Sequence, residues 1–354
     1  MLWYVLTSHS SFPPLTVQFT SHFSMKFTTT FTILLGTVAQ AMSTALKSRD
    51  GGGSWTSLAP LPFPQQEGGV TAIGTDVYII GGGANTSAPG FNGTTAVQVY
   101  SVTSNTWSQA APLPAPLSHP NTAVVDGKIY ILGGLLGNAS SSGDCFVYDP
   151  AVDAWTMLPS APEGLDRGAS AVGVVGSTIL LAGGLRAPMA GGKGSVDTFT
   201  SYDTDTGIWT TLPPLPSPRD HAVGAVINGF FYVIGSLVGS TDPTNTTMAI
   251  DVGRLSNWLI KAPMLTPRNN PSSGVIGDVI YTFGGQGNHA SGTNGTFNQS
   301  EAYDAATDTW MTLAAMLHPR HSTSAVVVNG AVYIPGGADM PGVAPLSIND
   351  AFFP

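Results

Sequence analysis

The chain has 354 residues, a net charge of −9, only 12 Lys plus Arg, and one cysteine. So few cations leave no electrostatic footprint for a phosphate backbone, which argues against nucleic acid as a partner. A lone cysteine permits no internal disulfide, so apolar packing must supply the stability.

In chain order, residues 1–24 carry no charged side chain apart from two histidines and fit neither a leader nor a domain. They read as an over-extended upstream segment, with Met25 as the true start. Residues 25–41 run from Met25-Lys26 through the apolar stretch FTTTFTILLGTV to Ala39-Gln40-Ala41. A charged start, a short apolar centre and an A-x-A site are the marks of a secretory signal peptide, and the apolar stretch is too short to span a bilayer. Residues 42–53 are then a linker. The expected mature protein starts near Met42, is secreted and extracellular, and has no membrane anchor, because no other apolar run approaches the length of a span.

Residues 54–354 are repetitive. Trp55, Trp107, Trp155, Trp209, Trp258 and Trp310 recur at near-constant spacing, and an apolar run ends in a glycine pair at Gly81-Gly82, Gly133-Gly134, Gly183-Gly184, Gly284-Gly285 and Gly336-Gly337, with Gly235-Ser236 as the altered copy. That pattern gives six structural units. Within each unit the turn chemistry separates four short strands, a to d. Asp126-Gly127, Asn228-Gly229 and Asn329-Gly330 read as two-residue hairpins between a and b. Strand b is the apolar run into the glycine pair, strand c carries a tyrosine such as Tyr100 or Tyr303, and strand d begins at the Trp and stops at prolines such as Pro112 or Pro213. Cys145 opens a strand c, where inert burial is expected.

Segments such as VYIIGG and FYVIGS, followed by VYDPAVDAW or AYDAATDTW and then PLPSPRDHA or MLHPRHS, resemble kelch repeats. The resemblance implies an all-β, six-bladed kelch-type β-propeller, one closed domain over 54–354. The ends suggest how it closes: segment 54–61 would be strand d of the sixth blade, completing C-terminal strands a–c. Each Trp is expected to fill a blade boundary, with truncation to Ala costing about 3–5 kcal/mol.

Aligning the units on the first valine of strand a places Gly69, Ala123, Ala171, Ala225, Gly274 and Ala325 just before it, small residues expected to face the crowded axis. Five positions before it stand Gln65, His119, Arg167, His221, Asn270 and His321, all polar. Beside them are Glu67, Asn121, Asp166, Arg219, Asp220, Arg268 and Arg320. Strand periodicity makes these a polar collar at the channel mouth, the default ligand site. A structural alternative stays open, since kelch units commonly use Arg and His to bond neighbouring loops. N-x-[ST] sequons at Asn85, Asn92, Asn138, Asn245, Asn294 and Asn298 all fall between strands b and c, in loops that would rim the same mouth.

The kelch domain of fungal galactose oxidases is similar, but no Tyr adjoins a His here and every propeller Tyr belongs to the repeat, so the copper radical ligands do not carry over. The iron-binding Glu/Asp/His spacing of plant specifier proteins is also missing. No metal and no cofactor are expected; Asp203-x-Asp205-x-Gly207 is only a c–d turn. Two readings remain. One is an extracellular, monomeric binding module for a carbohydrate, small molecule or protein. The other is a cofactor-free enzyme, an epimerase or cyclase, working by general acid–base chemistry; a secreted sialic acid epimerase shares the six-bladed kelch fold. Its nameable pairs are Glu67 with His119, and Asp220 with His221. The signal peptide and the lack of a partner domain oppose a ubiquitin-adaptor role.

Overall fold

The computed structural model describes residues 52–83, 93–137, 140–189, 192–238 and 242–354. The expectations for residues 1–51, and for the sequons at Asn85, Asn92 and Asn138, lie outside them.

Six four-stranded antiparallel sheets follow one another. Blade 1 comprises Gly69–Ile73, Asp76–Ile80, Val97–Ser101 and Thr106–Gln109; blade 2, Thr122–Val125, Lys128–Leu135, Ser141–Asp149 and Ala154–Leu158; blade 3, Ala171–Val175, Thr178–Ala182, Phe199–Asp203 and Ile208–Leu212. Blade 4 comprises Val223–Ile227, Phe230–Ile234, Thr247–Asp251 and Leu259–Lys261; blade 5, Ser272–Ile276, Val279–Phe283, Ser300–Asp304 and Thr309–Thr312. Blade 6 takes Val326–Val328, Ala331–Pro335 and Asn349–Phe353 from the C-terminal end and Ser54–Ser57 from the other, with Trp55 opposite Phe352. Both central residues of the Asp126-Gly127, Asn228-Gly229 and Asn329-Gly330 turns have positive φ, the geometry of a type I′ hairpin, which matches the twist of the flanking strands.

Apolar side chains pack across each seam rather than within a blade. Tyr78, Ile80, Val97 and Val99 of blade 1, for example, share a cluster with Ile129, Ile131, Phe146 and Tyr148 of blade 2. The tryptophans differ from expectation. All six are only half-buried, on the outermost strand or, for Trp258, just before it, and the aromatic side chains that are fully buried are instead Tyr100, Tyr303, Phe146, Phe199, Phe231, Phe283 and Phe352. What the Trp adds is a directed bond. Trp107, Trp155 and Trp310 donate Nε1–H to the carbonyls of Ala59, Ala111 and Ala262, each at 2.8 Å, in the tail of the preceding blade. In the same three blades the turn residue two before the Trp accepts from the backbone N–H of that alanine and from the strand-c tyrosine hydroxyl. Asp153, for instance, accepts from Ala111 N at 2.8 Å and Tyr148 Oη at 2.7 Å. The conserved spacing of Tyr, Asx and Trp within the repeat is therefore a clamp on the neighbour's chain.

The glycine pairs make the second inter-blade link. Gly82, Gly184, Gly285 and Gly337 donate their N–H groups, at 2.8–2.9 Å, to the carbonyls of Leu117, Arg219, Arg320 and Gln65 at the start of the next blade. The first glycine of the pair lies so close that a Cβ on Gly284, where φ is +63°, would stand 2.2 Å from the Arg320 carbonyl oxygen. Cys145 is buried, which pushes its thiol up to about 11. Of the sequons within the described residues, Asn294 and Asn298 are exposed, whereas Asn245 is half-buried and donates Nδ2–H to the Met264 carbonyl at 3.1 Å.

Candidate functional site

Leading into strand a, each blade places one residue at positive φ: Glu67, His119, Ala169, His221, Asn270 and Ser322. Their backbones are strung together. Glu67 N donates to Ser322 O at 2.6 Å, His119 N to Glu67 O at 2.8 Å, Ala169 N to His119 O at 3.0 Å, and His221 N to Ala169 O at 2.9 Å. With the carbonyls engaged in this collar, the left-handed conformation turns the side chains together, and Asn and His are among the residues that tolerate it. The collar opens on a cavity of about 220 Å³ whose lining includes Glu67, His119, Ala169, His221, Asn270 and Val172.

At its centre is Glu67. Oε1 accepts from Ser322 Oγ at 2.5 Å and from Asn270 Nδ2 at 3.0 Å. Oε2 faces His119 Nε2 at 3.4 Å and His221 Nε2 at 3.8 Å. Burial by itself would raise the Glu67 carboxyl; His119, His221, the Ser322 hydroxyl and His321 outweigh it and hold the group at about 2. The two imidazoles meet edge to face, centroids 5.0 Å apart. Each is oriented from behind: His221 Nδ1 bonds Asp220 Oδ1, and His119 Nδ1 meets Ser118 Oγ at 3.1 Å. Asp220 is itself buried and also accepts from Ser195 Oγ. Burial opposes its ionisation, and His221 together with Ser195 reverses that and lowers it. The Glu67–His119 and Asp220–His221 pairs named from sequence are thus parts of one cluster.

The rest of the predicted collar is elsewhere. Gln65, Arg167, Arg219, Arg268 and Arg320 are buried behind the channel wall, two residues before the collar position of their blades, and their polar atoms bind their own blade. Arg167 donates to the carbonyls of Gly183 at 2.8 Å, Leu165 at 2.8 Å and Leu181 at 3.0 Å, and to Thr200 Oγ1 at 2.9 Å. Arg268 pairs with Glu301 at 3.0 Å and Arg320 with Asp350 at 2.8 Å. Gln65 Nε2 reaches Gly81 O. These five side chains are struts, because they are buried and the bonds they make are to their own blade; Arg219, Arg268 and Arg320 keep only a buried Nε–H without a partner. His321 falls between the two sets, buried, bonding the Met340 carbonyl through Nε2 at 3.0 Å and Ser322 Oγ through Nδ1 at 2.7 Å. Asn121 ties Leu132 O to Arg167 O, and Asp166 pairs with Arg186 at 3.2 Å. Of the small residues expected on the axis, Gly69 and Ala325 line the cavity, whereas Ala123, Ala171 and Ala225 pack in seams between blades.

Sequence reasoning missed Ala169 and Ser322. Counting back sixteen residues from the first glycine of the pair finds the strut in every blade where it bonds that glycine's carbonyl, and two further on finds the collar.

Comparison with known proteins agrees with this architecture. The profile of the KLHDC2/KLHL20/DRC7 Kelch-repeats domain matches residues 123–337, and that of the Kelch motif residues 67–114. Kelch-like protein terF of Aspergillus terreus is 37% identical over 314 residues, covering 85% of this chain and 68% of that protein. Kelch-like protein 36 of Bos taurus is 26% identical over 240 residues, 66% of this chain and 38% of its own length, so the chain spans well under half of that relative. The solved structure of YjhT superposes with a TM-score of 0.67 at 17% identity, over 82% of this chain and 95% of the other, a likeness of fold.

Proposed function

This chain belongs to the kelch-repeat family, whose propellers are binding and interaction modules, and from that premise we propose that it binds a small polar, hydroxyl-rich molecule in the channel mouth, with Glu67, His119 and His221 as the recognition centre. The observation that carries this is the convergence of those three side chains, from three separate blades, on one cavity. A volume of about 220 Å³ is below the ~300–1,000 Å³ of drug-sized sites, so it suits a molecule of monosaccharide size rather than a protein surface. An ionised carboxylate accepts hydrogen bonds from hydroxyl groups, while Asn270 and the imidazoles offer both donors and acceptors. The test is ligand-observed NMR against a library of monosaccharides and small hydroxylated compounds. A hit lost in Glu67→Gln supports the reading, and hits indifferent to that change contradict it.

A second reading is favoured by one feature. Two imidazoles at the cavity, one of them backed by the Asp220 carboxylate, can take a proton from a substrate hydroxyl or carbon acid and return one. Glu67, held at about 2 and so too weak a base for that step, steadies the charge on the rings; this is the division of labour an epimerase or mutarotase needs. Exchange spectroscopy on any bound sugar decides it: acceleration by the parent and not by Glu67→Gln marks catalysis. Secretion belongs to the same proposal, and amino-terminal sequencing of secreted material tests it, with a start near Met42 expected and retention of Trp3 the contrary result.

A further inference from the structure

We propose that Glu67, His119 and His221 form a binding site for a divalent first-row transition metal ion. Among the described residues these three form the one group of carboxylate and imidazole ligand atoms lying within 4.8 Å of one another. A metal at about 2.1 Å from each ligand, with angles between 90° and 109°, needs ligand atoms about 3.0–3.4 Å apart. The Glu67 Oε2–His119 Nε2 distance of 3.4 Å meets this and the 3.8 Å to His221 Nε2 is close to it. The two histidine ligand atoms lie within 4.8 Å of one another.

The surroundings are built for ligation rather than for a simple ion pair. Metal-bound histidines characteristically hold their other ring nitrogen against a carboxylate or hydroxyl, which fixes the ring and directs the second nitrogen at the metal. His221 does this through buried Asp220, and His119 through Ser118. Glu67 is oriented likewise: Ser322 and Asn270 occupy Oε1 and leave Oε2 directed at both rings. The donor set also restricts the metal. Two imidazoles disfavour calcium and magnesium, and the absence of a thiolate disfavours copper(I), whereas two histidines and one carboxylate suit zinc and iron(II). Ala169 stands between the two histidines in the collar order, and its methyl group leaves the cavity side of the site open for water or a ligand oxygen. The ligands come from three blades, far apart in sequence, so no local spacing announces them.

Untagged protein, or protein with a histidine-free tag, is purified without chelator and its metal content measured by inductively coupled plasma mass spectrometry, before and after dialysis against Zn²⁺, Fe²⁺ or Co²⁺. About one equivalent is expected in the parent, lost in Glu67→Gln and in His119→Asn, while His318→Asn, outside the cluster, retains it. Asp220→Asn should weaken metal affinity roughly 10–100-fold. Because a variant can lose metal by misfolding, the Co²⁺-loaded parent is also read by visible absorption, where ligand-field bands of two imidazoles and a carboxylate are expected. Less than a tenth of an equivalent in the dialysed parent, no such bands, or metal that persists in both ligand variants overturns the proposal. Metal content is read without any organic ligand, so this result and the small-molecule reading stand or fall separately.

Discussion

Arg167→Leu should unfold the protein several degrees earlier without touching the channel mouth. The guanidinium satisfies three backbone carbonyls and the Thr200 hydroxyl inside blade 3, and the residue is 2% exposed. Leucine fills much of the volume but donates nothing, so buried acceptors lose their partners, at about 1–3 kcal/mol for each one water cannot reach. Part is returned, because desolvation already disfavours the charge and pulls the guanidinium down to about 10. A net loss of about 4 kcal/mol is the balance. With an unfolding entropy of about 2.1 cal/mol/K per residue over roughly 300 folded residues, this lowers Tm by about 6 °C. Differential scanning calorimetry reads it, with Ala169→Asn as the control: that collar position lines the cavity, and Asn tolerates its positive φ of 54°, so its Tm should stay within about 1 °C. If Arg167→Leu melts with the parent, or the control falls as far, the division into struts and collar is wrong.

Trp155→Ala should cost about 2–3 kcal/mol, from half the ring's area and one bond to Ala111, less than a fully buried ring would lose; urea unfolding measures it. Gly284→Ala should destabilise far more than Gly330→Ala, although both have positive φ, because only the former puts a Cβ against a backbone carbonyl; paired thermal melts compare them. Acid stability should depend on Glu67. Its folded-state value of about 2 lies below the ordinary 4.5, so its contribution is complete above that ordinary value and disappears as pH falls toward 2. Glu67→Gln should therefore remove about 2 kcal/mol of the stability difference between pH 6 and pH 3, seen in urea midpoints at the two pH values.

The blades were legible because each recurring residue answers to a local requirement. Trp107, Asn105 and Tyr100 make one clamp, so they keep fixed spacing, and the Gly-pair must stay small against the next blade's carbonyl. The collar was legible only in part. Alignment on the strand-a valine assumes a constant approach to that strand, yet Glu67 and Ala169 lie three residues before their valines and His119, His221 and Asn270 lie five. The resulting set mixed Gln65 and Arg167, which are struts, with residues that line the channel. The approach to the glycine pair is constant because the strut bonds the glycine carbonyl, so that register finds both rings. Polarity could not separate them: an Arg facing water and an Arg saturated by buried carbonyls look alike in a sequence. The half-burial of the tryptophans was hidden for a related reason, since five of the six, all but Trp209, make a directed Nε1–H bond to a carbonyl besides the area they bury.

The claim that the channel mouth is the functional site is tested most directly by a crystal structure of the protein with the ligand found in the screen. The account predicts density in the cavity, with a ligand oxygen within hydrogen-bonding or coordination distance of the Glu67–His119–His221 cluster. A ligand seated on the outer strands or at the opposite end of the channel, with only water at the cluster, would contradict it.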